Sequence, residues 1–129
     1  MKKKLIALAA ASLLIYGLVA LIRWDPNAAT AGNGDNVMVE NGTQYIDLTA
    51  KGGYAPRKTV AQAGIPTVLK VTTNGTYDCS ASINIPTQQI GQALPATGTT
   101  AIALGTPTAG LLQGTCSMGM YQFEIDFEA

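Results

Sequence analysis

"YQFEIDFE", residues Tyr121 to Glu128, alternates without fault. Tyr121, Phe123, Ile125 and Phe127 fall on one side, and Gln122, Glu124, Asp126 and Glu128 on the other. Successive side chains of a strand point to opposite faces, so this octet reads as a strand with one buried and one wet face. Asp126 and Glu128 on the outer face would also discourage sheet-to-sheet association.

Earlier segments repeat that pattern between glycine and proline punctuation. "TQYIDLTA" (Thr43 to Ala50) sets Ile46 and Leu48 on one face, and "GGYAP" breaks it. "KTVAQ" (Lys58 to Gln62) is a short strand stopped by Ala63-Gly64. "TVLKVTT" (Thr67 to Thr73) places Leu69 and Val71 together, and Asn74-Gly75 turns the chain. "SASINIP" (Ser80 to Pro86) sets Ala81, Ile83 and Ile85 against Ser80, Ser82 and Asn84. "TTAIALG" presents Ile102 and Leu104, and "GLLQGT" runs up to a cysteine. Short alternating segments with a turn signal every eight to twelve residues predict an all-β sandwich of about seven strands. No helical stripe follows Trp24, and no internal repeat is present. Asn41-Gly42-Thr43 and Asn74-Gly75-Thr76 match the glycosylation sequon, but Asn-Gly is a turn former and is read here as such.

The first residues are of another kind. Met1-Lys2-Lys3-Lys4 precedes an apolar run from Leu5 to Ile22, then Arg23 and Trp24. A helix of that length spans roughly 27 Å, close to a bilayer core of ~30 Å, with Trp24 placed as an interfacial residue. The lysines keep the amino terminus in the cytoplasm and send the rest across. The expected organisation is a signal anchor over 1–24, a flexible linker over 25–42 and a β-domain over 43–129, on the periplasmic or extracellular face. The alternative is secretion after signal cleavage near Ala31, where Ala29-Thr30-Ala31 has the small-x-small form.

Composition removes several functions. The chain of 129 residues has eight basic and eight acidic side chains, only 12% charged residues and no histidine. Without a basic stripe there is no nucleic-acid footprint. Without imidazole the usual general base is gone, and scattered acids show no useful pairing, so the chain does not read as an enzyme.

What remains is sulfur. Cys79 and Cys116 are the only cysteines, and Cys116 opens "CSMGM", with Met118 and Met120 two and four residues on. In an exported domain an even cysteine count points to a disulfide, here closing a loop whose constraint is worth about 4 kcal/mol. Against that stands the placement of Cys79 after a polar turn at a sheet end, where loops carry function. Gly119 lets the second loop bend so that several sulfurs converge. Thiolates and thioethers without imidazole select soft ions, chiefly Cu(I). Calcium and magnesium want clustered oxygens, and zinc usually wants four Cys or His ligands. Methionine is also a common core filler, so for Met118 packing and ligation both stand.

"GGYAP", the "AGIP" turn, the asparagine turn before Cys79 and "CSMGM" occur in an order that resembles the cupredoxin-like domains. Within them the chain is most similar to exported or membrane-tethered bacterial domains ending in a Cys-x-Met-Gly-Met loop. The likeness runs from about Gln44 to Phe127 and implies a Greek-key β-sandwich. It also implies a metal site of Cys79, Cys116 and Met120, with Met118 as an extra ligand. Cys79 stands where a blue-copper protein has its first histidine, no histidine follows Cys116, and Met120 takes the place of the axial methionine. Two thiolates and thioethers stabilise Cu(I), and Cu(II) between two thiols would be reduced as they oxidised to a disulfide. The resemblance therefore implies Cu(I) binding, sequestration or transfer in copper handling, with a copper transporter or oxidase as partner, and not ordinary electron transfer. The competing expectations are a disulfide-closed structural or interaction sandwich without metal and, ranked below it, an electron-transfer cupredoxin with unusual ligands. Tyr121 is expected in the core, and Tyr77 as a loop contact beside Cys79.

Overall fold

The structure, a computed structural model, describes residues 35–129. The expected anchor over 1–24 and most of the expected linker lie outside the described residues. Among the described residues no helix is long and apolar enough to cross a membrane.

Ten strands form two five-stranded sheets. The first sheet holds β1 (Val37–Glu40), β2 (Thr43–Ala50), β3 (Tyr54–Ala55), β5 (Thr67–Thr73) and β8 (Gly98–Gly105). Its order is β1-β2-β5-β8, and β3 pairs with the far end of β2. The second holds β4 (Lys58–Gln62), β6 (Ser82–Ile85), β7 (Ile90–Ala93), β9 (Gly110–Thr115) and β10 (Gln122–Glu128), in the order β4-β10-β9-β6-β7. The β2–β5 and β4–β10 pairs are parallel, and the remaining pairs are antiparallel.

The alternation read from the sequence sorts the side chains as expected. Ile46, Leu48, Leu69, Val71, Ile102 and Leu104 from the first sheet meet Ile83, Ile85, Leu112, Phe123, Ile125 and Phe127 from the second in one buried core. Burying each such side chain contributes about 1.5–3 kcal/mol against the entropy of ordering the chain. The buried polar Gln44 ties the two sheets. Its amide nitrogen donates to the Gln62 carbonyl and the Thr67 hydroxyl, both at 3.0 Å, and its oxygen accepts from the Gln62 N–H at 2.9 Å. No buried side-chain nitrogen or oxygen among the described residues lacks a partner.

Four findings differ from the sequence reading. Ten strands form instead of about seven, the additional ones being β1, β3 and β7. β1 lies inside the 25–42 stretch read as linker, where Asn41 (φ 51°) and Gly42 (φ 78°) make the left-handed turn that folds it back on β2. β10 lies between β4 and β9, not at an edge, so Asp126 and Glu128 guard no open strand. Finally, the first residues of "SASINIP" are not strand: Cys79–Ala81 form a 3₁₀ turn ahead of β6.

Candidate metal centre

The 3₁₀ turn exists because Asp78 caps it. The Asp78 carboxylate accepts from the Ser80 N–H at 2.7 Å, from the Ser80 hydroxyl, and from the Gly52 N–H at 2.9 Å. The cap satisfies donors at the start of the turn and ties it to the β2–β3 connection. Those bonds, the Ser80 hydroxyl first, hold the Asp78 carboxyl below the ordinary aspartate value. With its oxygens so engaged, Asp78 is a turn builder beside the sulfur residues, not a free hard-ion ligand.

Cys116 ends the other segment, immediately after β9. Its carbonyl accepts from the Gly119 N–H and its N–H donates to the Tyr121 carbonyl, each at 3.1 Å. Gly119 sits at φ +72°, a left-handed conformation that strains any side chain, and this closes the loop tightly. The antiparallel pairing of Asn84 with Thr115 brings this loop beside the start of β6.

Cys79 and Cys116 meet there as a disulfide, with Cα atoms 5.6 Å apart. Cys116 is buried, at 1% exposure, whereas Cys79 is half-buried against the core. The Met118 N–H donates to Cys79 Sγ at 3.4 Å, so the methionine loop folds over the sulfur of the first segment. Met118 and Met120 are 77% and 66% exposed. Neither fills the core, which removes the packing reading left open for Met118. Tyr77 is 87% exposed two residues before Cys79, and Met120 borders a cleft with Tyr54, Arg57 and Tyr121.

The structure thus gathers all four sequence-predicted residues at one end of the sandwich, with the two cysteines bonded and the two methionines on the loop that leads away from them. The donor set suits a soft ion. Once the disulfide is reduced it offers two thiolates and two accessible thioethers, and among the described residues no group of three or more His, Cys, Asp or Glu is placed to hold a metal. In the disulfide form the thiolates do not exist, so thiolate ligation and the bond exclude one another.

Sequence reasoning missed the residues that support this arrangement. Ser82 donates its hydroxyl proton to the Cys79 carbonyl and accepts from the Ser117 N–H, each at 3.1 Å. The Tyr54 hydroxyl donates to the Ser82 carbonyl at 2.5 Å. Burial first, and the Asp78 carboxylate second, push the Tyr54 phenol up to about 12. The Asp78-Cys79-Ser80 run carried a signal, an acid two residues before a serine, whereas nothing in the sequence marked Ser82.

No protein-family model matches the sequence, and no curated protein matches it either. Solved structures share the fold. The metal-binding domain of the Streptococcus pneumoniae D39 Cu(I)-exporting P-type ATPase CopA, determined with Cu(I), superposes with a TM-score of 0.66 at 22% identity, over 72% of this chain and 93% of that one. A copper binding protein in its apo form gives 0.67 at 23% identity, over 74% and 97%. A chain of a heme-copper terminal oxidase dimer gives 0.52 at 14% identity, over 97% and 99%.

Proposed function

We propose that this protein is a membrane-anchored, extracytoplasmic copper-binding domain that holds Cu(I) through Cys79, Cys116 and Met120, with Met118 as a further ligand, and serves copper sequestration or transfer. The observation that carries the reading is the exposure of Met118 and Met120 on the loop that covers the Cys79–Cys116 pair. Large apolar side chains left in water beside two cysteines have no packing role, and as thioethers they complete a soft donor set. The mixed two-sheet topology and the shared fold with copper-binding domains support the cupredoxin-like Greek-key assignment. A copper-exporting ATPase and a heme-copper oxidase among the proteins of like fold support a transporter or oxidase as the partner that exchanges the ion. We read the role as binding and not catalysis, because the sequence holds no histidine to serve as the usual general base. Anchoring rests on the apolar run Leu5 to Ile22.

A second reading has its own observation. The disulfide is formed, and a bonded pair closes the sandwich without any metal. The two readings separate in an anaerobic Cu(I) competition titration of the reduced full-length chain, with Cys79→Ser and Met120→Leu alongside. One tightly bound equivalent, lost with Cys79→Ser and weakened with Met120→Leu, supports the copper reading. Failure of the reduced chain to compete for Cu(I) leaves the disulfide-closed scaffold.

A further inference from the structure

The disulfide is not the sole link between the two cysteine-bearing segments. A serine hydroxyl has one proton and two lone pairs, so Ser82 can donate to the Cys79 carbonyl while accepting from the Ser117 N–H. Those partners belong to different segments: Cys79 opens the turn before β6, and Ser117 lies in the loop after β9. Ser82 is itself held. Its carbonyl takes the Tyr54 hydroxyl, and Tyr54 is buried on β3 of the other sheet, with its ring edge-on to Phe123 at 5.1 Å between centroids. None of these bonds involves sulfur, so reduction of the disulfide leaves their donors and acceptors unchanged.

We infer that Ser82 is a positioning residue that keeps Cys79 and Cys116 within reach of each other in the dithiol state, so that both sulfurs are presented to one soft ion without rebuilding the loops. The metal half of this rests on the copper reading above, but the redox half does not. Opening the bond takes two electrons and two protons from a dithiol reductant, which becomes a disulfide, and yields two thiols. Where the Ser82 bridge is intact those thiols stay close, and their effective concentration toward each other stays high. Without the bridge the segments can part, so re-closure of the disulfide and capture of one ion both weaken.

The test uses the full-length chain and the variants Ser82→Ala, Ser82→Thr and Ser82→Val. Each is equilibrated with mixtures of reduced and oxidised dithiothreitol, and the dithiol fraction is read by alkylation and intact mass. The Thr–Val pair differs by the hydroxyl at nearly constant shape, which isolates the bridge from general packing. Far-UV circular dichroism establishes that each variant is folded. The expected result is a fall of roughly tenfold in the equilibrium constant for disulfide formation with Ala and Val, and recovery with Thr. That factor corresponds to about 1.4 kcal/mol, shared between the two hydrogen bonds that the hydroxyl makes. Cu(I) affinity should fall by a similar factor in the same two variants. Equal disulfide equilibria in all four folded proteins would overturn the inference. If the wild-type dithiol binds no Cu(I) while Ala and Val still shift the disulfide equilibrium, the copper reading fails and the positioning role stands.

Discussion

The ring of Phe123 covers Gly114 across the β9–β10 pair, in the space where any side chain at 114 would have to begin. The glycine is there because the aromatic ring needs its surface. Phe123 is in turn the residue against which Tyr54 packs, and Tyr54 holds Ser82. A backbone contact two residues before Cys116 therefore bears on the support of the sulfur loop.

Gly114→Ala should destabilise the domain by about 1–3 kcal/mol, the usual cost of overpacking a well-filled core. Urea unfolding followed by tyrosine fluorescence measures it. An unchanged midpoint would mean that the Phe123 ring moves aside freely.

Met118→Leu and Met120→Leu should leave stability within about 0.5 kcal/mol, because both side chains are already in water. Their effect should be confined to Cu(I) competition, with the larger loss for Met120→Leu. A large drop in thermal midpoint for either variant would return the methionines to a packing role.

Reduction should lower stability by up to about 4 kcal/mol, given a sequence separation of 37 between the bonded cysteines. Cu(I) added to the reduced chain should restore part of that loss, since a ligand that binds only the folded state stabilises it. Denaturation of oxidised, reduced and Cu(I)-loaded samples compares the three directly. If copper leaves the reduced midpoint where it was, the two sulfurs do not share an ion.

Alkaline titration should report on Tyr54. Its folded pKa, about 12, lies above the ordinary 10.0, so its contribution is fully present below pH 10 and is lost as the pH rises toward 12. Tyr54→Phe should flatten that limb of the stability profile while costing about 1 kcal/mol at neutral pH for the lost bond to Ser82. A wild-type profile that matches the variant across this range would show that the phenol is not held.

At the acid end the sign reverses. The Asp78 carboxyl is depressed below its ordinary value, so its caps on Ser80 and Gly52 persist above that value and are lost as the pH falls through the lower, folded one. The Ser80 and Gly52 amide resonances should therefore titrate together, with a midpoint below the usual aspartate range. Independent midpoints would separate the turn from the β2–β3 connection.

Strand boundaries were legible where one face is buried and the other wet. Thr43–Ala50, Lys58–Gln62, Thr67–Thr73 and Gly110–Thr115 form as read, because alternation is the imprint of a half-buried sheet. β7 left no such imprint: Gly91, Gln92 and Ala93 are all exposed on an edge strand. β3 has two residues, too few for a pattern, and is held by the Tyr54 anchor. At the site, residue types and local loop chemistry could be read from "CSMGM", but the meeting of Cys79 with Cys116 depends on β6 lying beside β9. That is a property of strand order, and no local spacing encodes it.

Strand order also sets a timetable. β10 fits between β4 and β9, yet a ribosome delivers it after all the other described strands. Until it emerges, β4 has no neighbour in its sheet and the Cys116 N–H lacks the Tyr121 carbonyl that closes its loop. The hydrogen bond that closes the Cys116 loop accordingly cannot form until Tyr121 has been delivered. A nascent chain halted before residue 121 would carry both cysteines but neither the Tyr121 carbonyl that closes the loop around Cys116 nor the strand that follows it.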